Sequence, residues 1–159
     1  MEKISRRKFV IHSMEAAAFA GACVCGLSGC ATFTKIGDTP PLPADAYAVK
    51  PPGTVTVTLN KATPLATLGG AGKIIDPALR DSLIIARVEN NGYIVASLLC
   101  PHRRVELEYQ PDNKRFRCAS LGHSKFALDG HKLGGPAPRG IKVYTSSVAD
   151  GTLTIKLDA

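Results

Sequence analysis

The sequence predicts an all-β domain, an antiparallel sandwich or barrel-like body, and three observations carry that prediction. Short stretches alternate apolar and polar residues, as in "TVTVTL" (54–59) and "TLTIKL" (152–157), a pattern that buries one face of a strand and wets the other. Many β-branched residues lie between turn-forming clusters, and the chain has 11 prolines, 15 glycines and no tryptophan, a mixture that favours strands over long helices. At 159 residues and 45% apolar content, there is room for one core.

Taken in order, the chain opens with "SRRKFV" (5–10), paired arginines ahead of a mildly apolar stretch, Ala16 to Ser28, that ends at "LSGC". This resembles a twin-arginine export signal, which carries folded proteins across the bacterial inner membrane. Leu27 to Cys30 is similar to a bacterial lipobox. The resemblance implies that residues 1–29 are a signal peptide, that Cys30 carries a lipid, and that the mature chain sits on the periplasmic side of the membrane. The apolar run falls short of the ~20 residues that a spanning helix needs; an uncleaved anchor is the alternative. Cys23 and Cys25 are then filler within the signal. Residues 30–53 hold five prolines and little apolar periodicity, as suits an extended tether.

The folded domain is expected over 54–159. "TVTVTL" and "TLTIKL" read as outer strands of one sandwich. "SLIIARV" (82–88) and "YIVASLL" (93–99) flank "ENNG", whose Asn and Gly tolerate positive φ, so the pair reads as a tight antiparallel hairpin. "LGGAGK" (68–73) lacks both the glycine spacing and the Ser or Thr of a phosphate loop and reads as a flexible surface loop. "IKVY" (141–144) resumes the alternation and "ADG" turns into the last strand. Between these strands, residues 100–138 carry only short strands, "RFRC" and "KFAL".

The formal charge is +7, of which the first thirty residues contribute +2. The remaining Lys and Arg form no basic stripe with interleaved aromatics, which argues against nucleic acid as a partner. Five cysteines, at 23, 25, 30, 100 and 118, do not make a disulfide scaffold. The three histidines after the signal, His102, His123 and His131, all fall in the loop-rich segment with Cys100 and Cys118. His131 follows "LDG" and reads as an exposed turn residue.

"CPH" (100–102) and, after fifteen intervening residues, "CASLGHSKF" (118–126) resemble the Rieske iron-sulfur family, with its C-x-H, a spacer, then C-x-x-H. The resemblance covers residues 54–157 and includes "GGPAPRG" (134–140). It implies a 2Fe-2S cluster in which Cys100 and Cys118 hold one iron, and His102 and His123 hold the other and raise its reduction potential. Pro136, in "GGPAP", is similar to the family's proline-rich loop that covers the cluster, and Ser124 and Phe126 stand beside the ligands. This chain departs from the family by one extra residue before the histidine. Leu121 or Gly122 would stand at the ligand position, neither can bind iron, and His123 takes the role, with Gly122 the place for a positive-φ bulge.

Further departures bear on potential. The family's high-potential members pair an extra cysteine from each loop in a disulfide; here those positions hold Arg104, Val105 and Ser120. Phe126 replaces the tyrosine whose hydroxyl reaches a cysteine sulfur, and Ser124 displaces the serine donor. Losing one donor is worth roughly 60–130 mV, which points to a low to intermediate potential. With no general base, nucleophile or substrate pocket visible, the chain reads as an electron carrier. The resemblance implies an oxidoreductase partner, either the cytochrome b of a quinol-oxidising complex or a molybdenum oxidase. The competing readings are a zinc site, for which C-x-H is cramped, a Cys100–Cys118 disulfide, and a clusterless lipoprotein binding module.

Overall fold

The computed structural model describes residues 38–50, 52–89 and 92–157; the expected signal, Cys30 and the start of the tether lie outside the described residues. Among the described residues there is no α-helix. The strands are β1 (Tyr47–Lys50), β2 (Thr54–Thr58), β3 (Ala71–Ile74), β4 (Leu83–Arg87), β5 (Tyr93–Ser97), β6 (Leu107–Gln110), β7 (Arg115–Cys118), β8 (Lys125–Ala127), β9 (Lys132–Gly134), β10 (Val143–Ala149) and β11 (Thr152–Lys156). They build a seven-stranded sheet in the order β1-β2-β11-β10-β5-β4-β3 and a four-stranded sheet in the order β6-β7-β8-β9, with every strand pair antiparallel. The fold is all-β, as the sequence predicts, and the smaller sheet is inserted between β5 and β10.

Each strand follows from its local chemistry. β4 and β5 form the expected hairpin, in register from Leu83↔Ser97 to Arg87↔Tyr93, closed by hydrogen bonds between Val88, Glu89 and Gly92. Asp150 (φ 48°) and Gly151 (φ 70°) turn β10 into β11, the pair of positive φ values that a two-residue type I′ turn requires. β2 and β11 are not outer strands. They pair with each other in the sheet interior, Val55↔Ile155 and Val57↔Leu153, because their alternating valines, Leu153 and Ile155 all face one core.

That core is one of two. Val55, Val57, Leu65, Leu83, Ile85, Val95, Leu153 and Ile155 fill the first, and Ile84, Ala86, Ala96, Leu98, Leu107, Phe116 and Phe126 fill the second. β4 explains its own unbroken apolar run: Leu83 and Ile85 point into the first core while Ile84 and Ala86 point into the second, since successive side chains of a strand face opposite ways. Burying each of the phenylalanines under the small sheet contributes about 1.5–3 kcal/mol.

Two expectations are corrected here. The fold takes in part of the segment read as tether: Thr39, Leu42 and Ala46 are buried, β1 pairs with β2, and Leu42 N–H donates to Lys73 O while Lys73 N–H donates to Pro40 O, both at 2.9 Å. Prolines suit such a path because an edge position leaves their missing N–H unneeded. "AGK" of the expected surface loop is instead the start of β3, where a Cβ on Gly72 would lie 2.5 Å from Leu42 Cδ2; its glycine marks close packing.

Candidate metal centre

Two loops of the smaller subdomain present the chemistry. The first leaves β5 through Leu98 and folds back on itself, with Arg104 N–H donating to Cys100 O at 2.8 Å and Cys100 N–H to Val105 O at 2.9 Å. Arg104 takes φ 56° to close that turn. The second loop joins β7 to β8, with Cys118 N–H donating to Ser124 O at 2.8 Å and His123 N–H to Ser120 O at 2.9 Å. The loops are fixed side by side by the Leu99↔Glu106 bridge, the Leu107↔Cys118 register and Ala119 N–H on Glu106 O at 3.0 Å.

The consequence is that Cys100 and Cys118 sit together at the floor of the second core, both fully buried and both free thiols. They are not disulfide-bonded. Burial pushes the Cys100 thiol up; the His102 backbone N–H lowers it, neighbouring Cys118 adds to the rise, and the Ser124 hydroxyl lowers it again. A thiol held protonated by an apolar surround gives up its proton when a cation compensates the thiolate.

The histidines lie farther out, both half-buried. His102 Nδ1 is buried with no hydrogen-bond partner, and its ring edge reaches toward Gly122, where a Cβ would stand 3.9 Å from His102 Cε1. His123 is engaged elsewhere. Arg117 Nε–H donates to His123 Nδ1 at 3.2 Å, and Arg117 Nη2 lies 2.9 Å from Nδ1 and 3.2 Å from Nε2. The structure therefore brings together the two thiols and leaves His102 with an open nitrogen, while His123 rests on a guanidinium. Among the described residues, no three His, Cys, Asp or Glu side chains stand close enough to hold a metal as they are placed.

The extra loop residue is absorbed differently from the sequence expectation. The positive φ falls on His123 itself, at 43°, and not on Gly122. Gly122 is needed for room instead: a Cβ there would meet Pro136 Cγ at 2.8 Å. Pro136 thus does lie over the second loop. Its segment is tied down by Ala137 N–H donating to Ser124 Oγ at 3.0 Å, and Gly135, at φ 89°, passes so close that a Cβ would sit 2.5 Å from Ser124 Cα. Phe126 is fully buried opposite Phe116 in the β7–β8 register. His131 is exposed, its Nδ1 2.6 Å from Asp129 Oδ1.

Ser120 belongs to the site although no motif in the sequence marks it. Ser120, only 3% exposed, places Oγ 3.1 Å from Cys118 Sγ, so a serine supplies the sulfur contact that Phe126 cannot. The available cue is its position two residues after Cys118. Beside Cys100 a cleft of about 350 Å³ is lined by Arg104, Arg139 and Lys142 against the one carboxylate of Asp81.

No protein-family model matches the chain, and no curated protein matches it. Among solved structures, it is similar to the ferredoxin of carbazole 1,9a-dioxygenase from Nocardioides aromaticivorans IC177, at 16% identity and a TM-score of 0.53, over 65% of this chain and 95% of that one. It is also similar to the cyanobacterial plasma membrane Rieske protein PetC3 from Synechocystis PCC 6803, at 22% identity and a TM-score of 0.45, over 54% of this chain and 84% of that one.

Proposed function

From the Rieske fold that this chain has, we propose that it is a one-electron carrier that holds a 2Fe-2S cluster of the Rieske type. Cys100 and Cys118 would bind one iron, and His102 and His123 the other. One observation carries the reading: two separate loops deliver two free, fully buried thiols to one place, and His102, two residues after Cys100, has a buried Nδ1 with no partner. Buried polar atoms ordinarily find partners, so an orphan imidazole nitrogen on the same loop as a soft thiol donor is a candidate metal ligand. A single reversible electron is the chemistry such a cluster supplies when bound.

The chain's own residues fit that task. The thiols are sealed from water by Phe116, Phe126 and Leu107, whereas both imidazoles lie nearer solvent, so the histidine side is the face open to a partner. Leu121, 89% exposed between the two ligands of its loop, and the flanking exposed Arg103, Arg104 and Arg139 favour an acidic redox partner with an apolar contact point. We further propose export by the twin-arginine route and membrane attachment through a lipid on Cys30, with a membrane redox complex or a periplasmic carrier as partner.

The deciding experiment is expression with iron-sulfur assembly intact, followed by iron and sulfide analysis and electron paramagnetic resonance of the reduced protein. About two irons and two sulfides per chain with a rhombic signal, both lost in Cys118→Ser, are expected. A colourless protein, or one holding zinc, would sink the reading.

A further inference from the structure

The contact between Arg117 and His123 sets the two histidines apart. An arginine only donates hydrogen bonds, so in the tautomer that carries its proton on Nε2, His123 Nδ1 accepts from Arg117 Nε–H at 3.2 Å with Nη2 2.9 Å away, while Nη2 also lies 3.2 Å from Nε2 and Cys118 O 3.4 Å from Nδ1. The corresponding Nδ1 of His102 is buried and open. A histidine binds a metal through a ring-nitrogen lone pair, and Arg117 Nη2 lies within hydrogen-bond distance of both ring nitrogens of His123. Iron needs the lone pair that Arg117 occupies.

We infer that Arg117 competes with the metal for Nδ1 of His123, making His123 the exchangeable ligand of the centre and His102 the fixed one. The inference rests on the proposed cluster for its ligand part. Three features support an exchange over a static contact. Arg117 is half-buried and sits on β7 immediately before Cys118, so its base stays put while its long side chain can swing. Glu108 stands directly across from it in the β6–β7 register, an alternative carboxylate partner within cross-strand reach. His123 is held at φ 43°, a conformation that non-glycine residues adopt at a cost and that its contacts must repay.

The experiment compares the wild-type chain with Arg117→Met, which keeps an unbranched stem and removes the donors, and with Arg117→Leu as a second variant without donors. In protein produced without iron, the ¹⁵N resonance of His123 Nδ1 should move toward that of an unbonded imidazole nitrogen in both variants. In protein carrying the cluster, loss of iron to a chelator should slow about tenfold, as fits removal of a charged hydrogen-bond competitor. A purely structural role predicts the opposite, faster loss. An unmoved Nδ1 resonance overturns the inference, and so does a rate of loss that stays equal or rises. A wild-type chain that never takes up a cluster would overturn the functional reading and the ligand part with it, while the resonance in metal-free protein still reports whether Arg117 holds Nδ1.

Discussion

Replacing Ser120 by alanine tests the electronic design of the site most directly. Ser120 Oγ lies 3.1 Å from Cys118 Sγ in a buried setting. If Cys118 holds the proposed cluster, its thiolate has no proton to give, and the hydroxyl must be the donor. A donor stabilises the more negative, reduced state, and removing it lowers the potential. A hydrogen bond to a charged acceptor contributes ~1.5–3 kcal/mol, and a one-electron couple shifts by 59 mV per ~1.4 kcal/mol, so the whole bond would be worth ~60–130 mV. Only the difference between the oxidation states counts, which makes that figure a ceiling. Ser120→Ala should therefore lower the potential by tens of millivolts, measured by optical redox titration against wild type at fixed pH. It also adjusts the sequence expectation: the donor lost at Phe126 is partly restored from the other side of the sulfur. A potential that stays the same or rises in Ser120→Ala would refute the reasoning, because it would mean that the hydroxyl does not point at the sulfur.

Lys73 and Glu106 make a 2.8 Å ion pair with side chains only 10% exposed, bridging β3 to the loop that precedes β6; Lys73→Met should lower unfolding free energy by ~3–5 kcal/mol in urea titration, because it takes the cation away from a buried carboxylate, whereas Lys73→Met with Glu106→Leu should recover most of it. Gly135→Ala forces a Cβ to within 2.5 Å of Ser124 Cα at φ 89°, and a cost of about 1–3 kcal/mol is expected, with faster amide exchange at Ala137 as the local readout. Tyr47 and Tyr109 ionise above the ordinary tyrosine range: burial raises both, and Asp76 raises Tyr47 further by its charge and its hydrogen bond. A raised folded pKa gives stability that is complete below the unfolded value of about 10 and is lost as pH climbs through the folded one; absorbance titration should show two late-ionising tyrosines, one of which disappears in Tyr109→Phe.

The sequence made the fold class legible wherever local chemistry dictates structure. The β4–β5 hairpin follows from "ENNG" between two apolar runs, the last turn from Asp150 and Gly151, and β7 from "RFRC". The thiol pair was legible for another reason: sparse cysteines in a loop-rich segment have few alternative uses. What escaped was set by contacts distant in sequence. β3 reads as loop because glycine weakens strand propensity, yet Gly72 is required by Leu42, thirty residues earlier in the chain and itself hidden in a proline-rich stretch. Intrinsic freedom points to Gly122 for the bulge, but Pro136 needs the space at that position, and the left-handed turn passes to His123, a residue type that tolerates it better than most. Arg117 carries no motif, and only the β7 geometry aims it at the imidazole.

The segment that enters the fold ahead of β1 has a mechanical consequence. Asp38 N–H bonds Glu108 Oε1, Thr39 Oγ1 bonds Leu107 O, and Pro41 bridges Lys73, so within four residues the chain is sewn to both sheets before its first strand begins. Any load arriving from upstream is shared between the two at that seam, and the strand that bears it, β6, is the immediate neighbour of the strand ending in Cys118. A pull on Asp38 therefore reaches both sheets at once rather than peeling either one away.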